Sequence, residues 1–195
     1  MINSKEDYLY YLEADRIALG KPKYSLKVKF DEYIKLDLIW SFQRLLRKSE
    51  YFKNVKSKNS FRGKFSYYFI KRRFKKKSLK LGFSIPENVF GPGLAILHYG
   101  TIIVNAEAKV GSNCRLQACT NIGQSGGIMG APIIGDNVYI GPGAKIYGKI
   151  EIPSNCAIAA NAAVGKSFYK EGMVLGGVPA KEITKVDIKQ IIKHI

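Results

Sequence analysis

An aliphatic residue recurs at every sixth position through most of the second half of the chain. Two in-phase runs carry it: Val104, Val110, Leu116 and Ile122, then Ile134, Ile140, Ile146, Ile152, Ile158 and Val164. This period does not match the 3.6-residue period of an α-helix, but it fits short strands joined by turns, with one aliphatic side chain per strand directed inward. The repeat therefore predicts a parallel β-helix in which each coil stacks on the last.

The fifth position of each repeat is small or of modest size, as expected of a second inward-facing side chain. These residues are Ala108, Cys114, Val138, Ala144, Cys156 and Ala162. We therefore assign structural roles to Cys114 and Cys156. An odd number of cysteines without metal-ligand spacing predicts free thiols and no bound metal. With no long apolar run and no leader-like start, the chain is expected to be cytoplasmic.

Residues 1–82 differ in kind, with 22 Lys and Arg against 8 Asp and Glu, whereas residues 83–195 have 10 against 7. Capping and breaking residues predict three helices in this part. They run from Ser4, with Asp7 completing a capping box, to Gly20; from about Asp31 to Ser49; and from about Phe65 to Leu81, ended by Gly82. The predicted apolar positions are Tyr8, Leu9, Tyr11, Leu12 and Ile17 in the first helix and Ile34, Leu38, Trp40, Leu45 and Leu46 in the second.

The third helix carries the basic run KRRFKKK, residues 71–77. One interpretation is an anionic partner, such as a lipid-linked substrate or an anionic membrane surface. The other is a solvated helix face beside an oligomer interface. Nucleic acid is not expected, because no recognised binding motif accompanies the charge.

The repeat resembles the hexapeptide-repeat acyltransferases, and the segment GLAILHYGTIIV, residues 93–104, is similar to their serine acetyltransferase branch. The run GVPAK, residues 177–181, resembles the signature that closes such domains. The resemblance implies a left-handed β-helix over 83–183, after a helical region over 1–82 and before a tail over 184–195. It also implies a homotrimer that transfers an acetyl group from acetyl-CoA to a hydroxyl.

Acetyl transfer to an alcohol needs a base to remove the hydroxyl proton, and a neutral imidazole suits this near pH 7. His98 is the one histidine of the repeat region, and its position matches the catalytic histidine of the family. The other histidine, His194, is interpreted as a tail residue. A single histidine also argues against catalytic zinc on this fold.

The resemblance also implies a donor site along the groove between two subunits, lined by Gly143, Ala144, Ala160, Lys166 and Lys181. The two lysines would meet phosphate groups as point charges. Gln124, in the turn GQSGG, could direct its backbone N–H at the oxyanion. The glycines beside it fit an ordinary flexible loop equally well.

Three departures from the serine acetyltransferase pattern bear on the acceptor. Leu97 and Phe83 stand where acidic residues are expected, and residues 129–131 lack the Arg-His pair of that branch. A backbone carbonyl or Glu107 could orient His98 instead. The predicted acceptor is therefore a sugar hydroxyl of a surface polysaccharide or its precursor, with serine as the alternative and a non-catalytic trimeric scaffold as a third reading.

Overall fold

The computed structural model describes residues 1–23, 37–127 and 129–195, and the second half of the chain forms a three-sided β-helix. Sheet A consists of β1 (Phe83–Ser84), β3 (Ile102–Val104), β6 (Asn121–Gly123), β9 (Lys145–Tyr147) and β12 (Ala163–Val164). Sheet B consists of β4 (Lys109–Val110), β7 (Ile133–Ile134) and β10 (Glu151–Ile152). Sheet C consists of β2 (Ala95–Ile96), β5 (Arg115–Leu116), β8 (Tyr139–Ile140), β11 (Ala157–Ile158), β13 (Met173–Gly177) and β14 (Ala180–Lys185).

Within each sheet, strands of successive coils pair in parallel, so residues at the same repeat position stack. Leu116 lies beside Ile140, and Ile140 lies beside Ile158. All ten aliphatic residues of the repeat and all six fifth-position residues are at most 5% exposed. The predicted left-handed β-helix with a helical region before it is confirmed. An antiparallel hairpin of β13 and β14 follows the last coil.

Asparagines at one corner of the β-helix hold the coils together. Asn113, Asn137 and Asn155 have φ values of 56°, 55° and 61°, in the left-handed region that asparagine tolerates better than most residues. The side-chain amide of Asn113 donates to Asn137 over 2.9 Å, and that of Asn137 donates to Asn155 over 2.9 Å. Each turn is therefore tied to the turn of the next coil.

The N-terminal region contains α1 (Lys5–Ala18), α2 (Leu38–Tyr51) and α3 (Phe61–Leu81), with a π-helix at Phe52–Lys56 and one helical turn at Ser57–Asn59. The capping box of Ser4 and Asp7 is present, and Gly82 ends α3 with a φ of 76°. The helix α3 begins earlier than predicted because Ser60 caps it. Asp37 caps α2, while the predicted start at Asp31 and the buried position Ile34 lie outside the described residues.

One part of the predicted apolar face of α1 is wrong. Leu9 and Ile17 are 54% and 44% exposed, whereas Asp15 is fully buried. Two ion-pairing side chains explain the difference. The guanidinium of Arg47 on α2 meets Asp15 through Nε over 2.8 Å and through Nη2 over 3.1 Å. The buried charge pair therefore helps to determine which face of α1 is covered, and a pattern of apolar residues does not reveal such a pair.

The helices cover the open end of the β-helix. The ring of Phe42 on α2 lies 5.3 Å from that of Phe74 on α3 and 5.0 Å from that of Phe83 on the first coil. These rings and Leu46 belong to the same buried cluster as the β-helix interior. Apolar surface that the first coil would otherwise expose is thus removed from water, as terminal caps of repeat proteins do. No helix in the described ranges is long and apolar enough to cross a membrane.

Candidate active site

His98 lies in the turn that connects sheet C to sheet A in the first coil. Eight residue positions separate the inward-facing Ile96 and Val104 there, whereas six separate Leu116 and Ile122 in the next coil. The longer turn brings the imidazole out to solvent, and His98 is exposed. Within the described ranges, neither ring nitrogen of His98 has a hydrogen-bond partner in this single chain. The imidazole is therefore free to meet a substrate hydroxyl.

The same corner of the β-helix carries further candidate residues on later coils. By the register of sheet C, Ala118, Pro142 and Ala160 occupy the same corner in later coils as the His98 turn does in the first. Ala160 is exposed and Gly143 is partly exposed. Because neighbouring strands lie about 4.8 Å apart, the three coil steps from His98 to Ala160 span roughly 14 Å. The corner is thus an elongated surface of small residues with a single imidazole at one end.

Two of the predicted lysines lie together beyond the last of these coils. Lys166 and Lys181 line one open pocket of about 650 Å³, together with Phe168, Tyr169 and Glu182. Lys181 sits on β14 opposite Gly176, and a Cβ added to Gly176 would lie 3.0 Å from that of Ala159 at the same corner. The ammonium group of Lys166 lies 5.4 Å from the centre of the Phe168 ring. An anionic group in this pocket would meet the positive charges of Lys166, Lys170 and Lys181 beside the carboxylate of Glu182.

Ala144 does not fit the predicted donor site. It is 0% exposed and fills a fifth-position slot inside the β-helix. Its side chain packs in the column of small residues that lets each coil turn, so it has no surface to offer a ligand. The burial of Ala144 therefore argues against its place in the donor site, while the role of its partly exposed neighbour Gly143 stays a prediction.

Gln124 and Glu107 are not next to His98 in one chain. Both lie at the corner between sheets A and B, where the side-chain amide of Gln124 donates to the Glu107 carboxylate over 2.9 Å. His98 lies at the opposite end of sheet A, about four strand residues or roughly 13 Å away. Neither the suggested oxyanion contact nor the suggested orientation of His98 by Glu107 can form within a single chain.

Two apolar residues occupy the positions near His98 where the serine acetyltransferase pattern has acids. Leu97 is partly buried, and Phe83 is 4% exposed with its ring against Phe42, so a carboxylate at that position would be buried in the apolar contact. Grouped metal ligands are also lacking in the part of the chain that the structure describes.

Sequence reasoning missed Cys119 as a neighbour of this site. It is exposed, has a φ of 61°, and occupies the turn of the second coil directly after that of His98. The ammonium of Lys145 donates to its backbone carbonyl over 2.5 Å. The spacing of the repeat contains the signal that predicts this position. Cys119 lies three residues after the inward-facing Leu116, just as Gly143 lies three residues after Ile140 in the next coil.

Residues 131–166 match the family of bacterial transferase hexapeptides with six repeats. The matched residues lie within the β-helix. The chain is 35% identical over 100 residues to a serine acetyltransferase of Mycobacterium tuberculosis, covering 50% of this chain and 43% of that protein. It is 34% identical over 110 residues to one of Staphylococcus xylosus, covering 55% and 50%. The aligned part thus spans at most about half the length of these curated relatives.

Solved structures of serine acetyltransferases share the fold over the helices as well as the hexapeptide β-helix. The serine O-acetyltransferase of Brucella melitensis superposes with a TM-score of 0.68 at 25% identity, covering 93% of this chain and 69% of that one. The soybean apoenzyme superposes with a TM-score of 0.71 at 19% identity, covering 92% and 70%. A Brucella abortus serine acetyltransferase solved with coenzyme A gives 0.66 at 23%, covering 93% and 70%. The named relatives give no support to a polysaccharide acceptor.

Proposed function

We propose that this chain is an acetyl-CoA-dependent O-acetyltransferase with His98 as general base. The observation that carries the proposal is the exposed imidazole of His98 at one end of a corner of small residues, with Lys181 beside the other end. The similarity of the chain to serine acetyltransferases supports the same reaction. A non-catalytic scaffold would have no use for an exposed imidazole at this position.

His98 would act first as a general base and then as a general acid in the transfer. Its neutral imidazole takes the proton of the acceptor hydroxyl while the oxygen forms a bond to the thioester carbonyl carbon. The tetrahedral oxyanion then collapses, the carbon–sulfur bond breaks, and the imidazolium returns its proton to the departing sulfur. No acyl-enzyme is needed, because the imidazole activates the acceptor directly and both substrates are bound together.

The donor would lie along the corner that begins at His98. Gly143 and Ala160 present little side chain there, so an extended thioester arm can approach the backbone. Lys166 and Lys181 would meet its phosphates. This arrangement puts the reacting thioester at the imidazole and the charged end of the donor at the last coil.

We further propose that the site is completed by a second copy of the chain in a homotrimer. Because Gln124 and His98 lie at opposite ends of sheet A, a backbone N–H from the Gln124 turn can reach the oxyanion only from a neighbouring copy. The trimers typical of hexapeptide-repeat proteins would juxtapose two such corners. Light scattering that finds an active monomer would contradict this arrangement.

Serine is the acceptor that the comparisons favour, since the relatives and solved structures named above are serine acetyltransferases. One observation favours a second candidate, an uncharged sugar hydroxyl. The turn from Gln124 to Pro132 contains no charged residue, and Leu97 is apolar. A site that selects free serine has to pair a carboxylate and an ammonium or leave them unpaired at high cost.

The experiment compares His98→Ala with His194→Ala, which removes the chain's other histidine from a contact with Asn113 outside the site. Loss of the acetyl-CoA thioester is followed by absorbance, because the exposed thiol of Cys119 would interfere with a thiol reagent. His98→Ala should lower turnover by roughly 10²-fold or more, while His194→Ala should leave it nearly unchanged. Normal turnover by His98→Ala would overturn the proposal.

The acceptor is decided in the same assay by offering serine and, separately, a panel of sugars and glycans. Saturable acetylation of serine at sub-millimolar concentration establishes the first candidate. Transfer to a sugar with no saturation by serine establishes the second.

A further inference from the structure

The turn that holds His98, residues 97–101, contains no acidic residue. A general base uses one ring nitrogen for the acceptor proton, and a hydrogen-bond acceptor at the other nitrogen fixes the tautomer and stabilises the imidazolium that forms. A carboxylate suits this role, because its negative charge favours the protonated ring. Such a carboxylate has to come from another part of the assembly.

Glu107 is an exposed residue on the same coil as His98. The strand β3 (Ile102–Val104) separates the two residues. His98 precedes this strand, at the corner between sheets C and A, and Glu107 follows it, at the corner between sheets A and B. In one chain the width of sheet A keeps them apart, but they lie at the same level along the stack of coils.

The side chain of Glu107 is oriented by the next coil. The side-chain amide of Gln124 donates to Oε2 of Glu107 over 2.9 Å, and the backbone N–H of Glu107 donates to the side-chain oxygen of Asn105 over 2.8 Å. A carboxylate has about four lone-pair sites, so one amide contact leaves room for another donor. Because Glu107 is exposed, a group from outside the chain can reach this carboxylate.

The homotrimer proposed above pairs the two corners that flank sheet A, which requires sheet A to face the threefold axis. The exposure of the sheets agrees with this requirement. The C-terminal segment covers the outer face of sheet C, where Ile188 and Ile192 are 5% and 0% exposed and cluster with Ala157. Sheet A instead exposes Ile103 and Tyr147 on its outer face, by 44% and 36%. Sheet A thus presents apolar surface to neighbouring copies.

Threefold symmetry brings His98 of one copy and Glu107 of the next to the same level. Contacts within a ring of three are heterologous, so one corner of sheet A meets the other corner of the neighbouring sheet A. A rotation about an axis along the stack of coils moves a residue around the stack without changing its coil. Residues of the same coil therefore meet at the junction between two copies.

We infer that Glu107 of one copy accepts a hydrogen bond from the imidazole of His98 in the next copy and acts as a positioning residue. The N–H that faces the carboxylate stays on the ring, while the other nitrogen takes the proton of the acceptor hydroxyl and returns it to the departing sulfur. The inference rests on the proposed function, since it assigns a partner to the base of that reaction.

The test compares Glu107→Gln with the unaltered chain in the absorbance assay, using acetyl-CoA with serine or with the sugar that the acceptor panel identifies. The new amide oxygen still accepts from Gln124, so the variant loses the negative charge and keeps the local contact. The value of kcat should fall roughly tenfold or more, while KM for both substrates stays within about twofold. Glu171→Gln is the matched control, because the exposed Glu171 also accepts from a side-chain amide, that of Asn155 over 3.0 Å. It should leave kcat unchanged.

Mixed trimers show which copy supplies the carboxylate. Glu107→Gln chains are co-expressed with an excess of His98→Ala chains, which lack the base but carry an intact Glu107. The activity per Glu107→Gln chain should return close to that of the unaltered protein. An excess of chains with both substitutions should leave it low. Light scattering verifies that the mixtures are trimers.

Equal activity in the two mixtures would overturn the inference, as would an unchanged kcat in Glu107→Gln. A raised KM for the acceptor with an unchanged kcat would also overturn it, because it would place Glu107 in acceptor binding. Normal turnover by His98→Ala alone would instead refute the proposed function. The two failures are therefore distinguishable.

Discussion

The buried ion pair between Arg47 and Asp15 makes a strong prediction about folding. Both side chains are 0% exposed, and the Asp15 Oδ1 also accepts the backbone N–H groups of Gly93 and Leu94, each over 2.9 Å. Through this contact, α1 and α2 are joined to the turn that opens the first sheet C strand. Burial alone would lower the pKa of Arg47, but the adjacent carboxylates of Asp15 and Glu50 raise it above its ordinary value. Arg47 therefore stays charged in the folded protein.

Replacing Arg47 by Met leaves two carboxylates, those of Asp15 and Glu50, buried without their cation. Breaking a buried pair by removing one partner costs about 3–5 kcal/mol. At 1.4 kcal/mol per factor of ten, that lowers the ratio of folded to unfolded protein by roughly two to three and a half orders of magnitude. Lys48→Met, on the same helix but exposed, should change the free energy of unfolding by no more than about 0.5 kcal/mol.

The decisive assay is a double-mutant cycle with Asp15→Asn, measured by urea unfolding at one protein concentration. With Arg47 present, Asp15→Asn should destabilise the fold, because a hydrogen-bonded charge pair is lost. With Met at position 47, the same substitution should stabilise the fold, since it removes an unpaired charge while the amide oxygen still accepts from Gly93 and Leu94. A cost of equal size and sign in both backgrounds would refute the reasoning.

Two further predictions concern acid stability and the core. The carboxylate of Glu87 is buried, yet hydrogen bonds from Lys71 and Ser49 and the nearby lysines outweigh that burial and lower its pKa. The contribution of the Glu87 carboxylate to the stability of the fold is therefore present above about pH 4.3 and is lost as the pH falls through the lower, folded-state pKa. In urea unfolding, Glu87→Gln should destabilise the protein at pH 7 and should do so less at pH 3.5. Ile140→Ala, at a fully buried position between Leu116 and Ile158, should cost about 2–5 kcal/mol. Thermal unfolding should show a far smaller effect for Ile103→Ala, whose side chain is 44% exposed on the outer face of sheet A.

The β-helix could be predicted because its interior is specified one repeat at a time. Each coil needs an aliphatic side chain and a small one at fixed positions, so every repeat supplies an independent observation of the same pattern. The inward direction of Leu116 or Cys156 follows from local spacing alone, and both residues are buried as predicted. Capping boxes and terminal glycines are local signals too, which explains why Ser4 and Gly82 delimit helices where expected.

The helical cap could be predicted only in part, because its contacts are set between segments that are far apart in sequence. The Asp15–Arg47 pair joins residues 32 positions apart, and the hydrogen bonds of Asp15 to Gly93 and Leu94 span 78 and 79 positions. No spacing rule connects such positions. A pattern of apolar residues treats an aspartate as solvent-exposed, and it therefore predicts Leu9 and Ile17 on the covered face of α1 in place of Asp15.

In the candidate site, too, some features are set by residues close together in the sequence and others by residues far apart. The two extra residues in the repeat beside His98 are a feature that the local sequence shows directly. In the structure they form an exposed turn. The relation of His98 to Gln124 is not local: 26 residues separate them, and the three-sided coil places them at different corners of sheet A. In the sequence, His98 and Gln124 both belong to one stretch that is rich in loops. In the folded chain they lie at different corners of the triangular cross-section, so they can meet only between two copies of the chain. Mixing inactive His98→Ala subunits with inactive subunits altered at the Gln124 turn should therefore restore activity in part, since some of the mixed trimers would hold one intact corner pair.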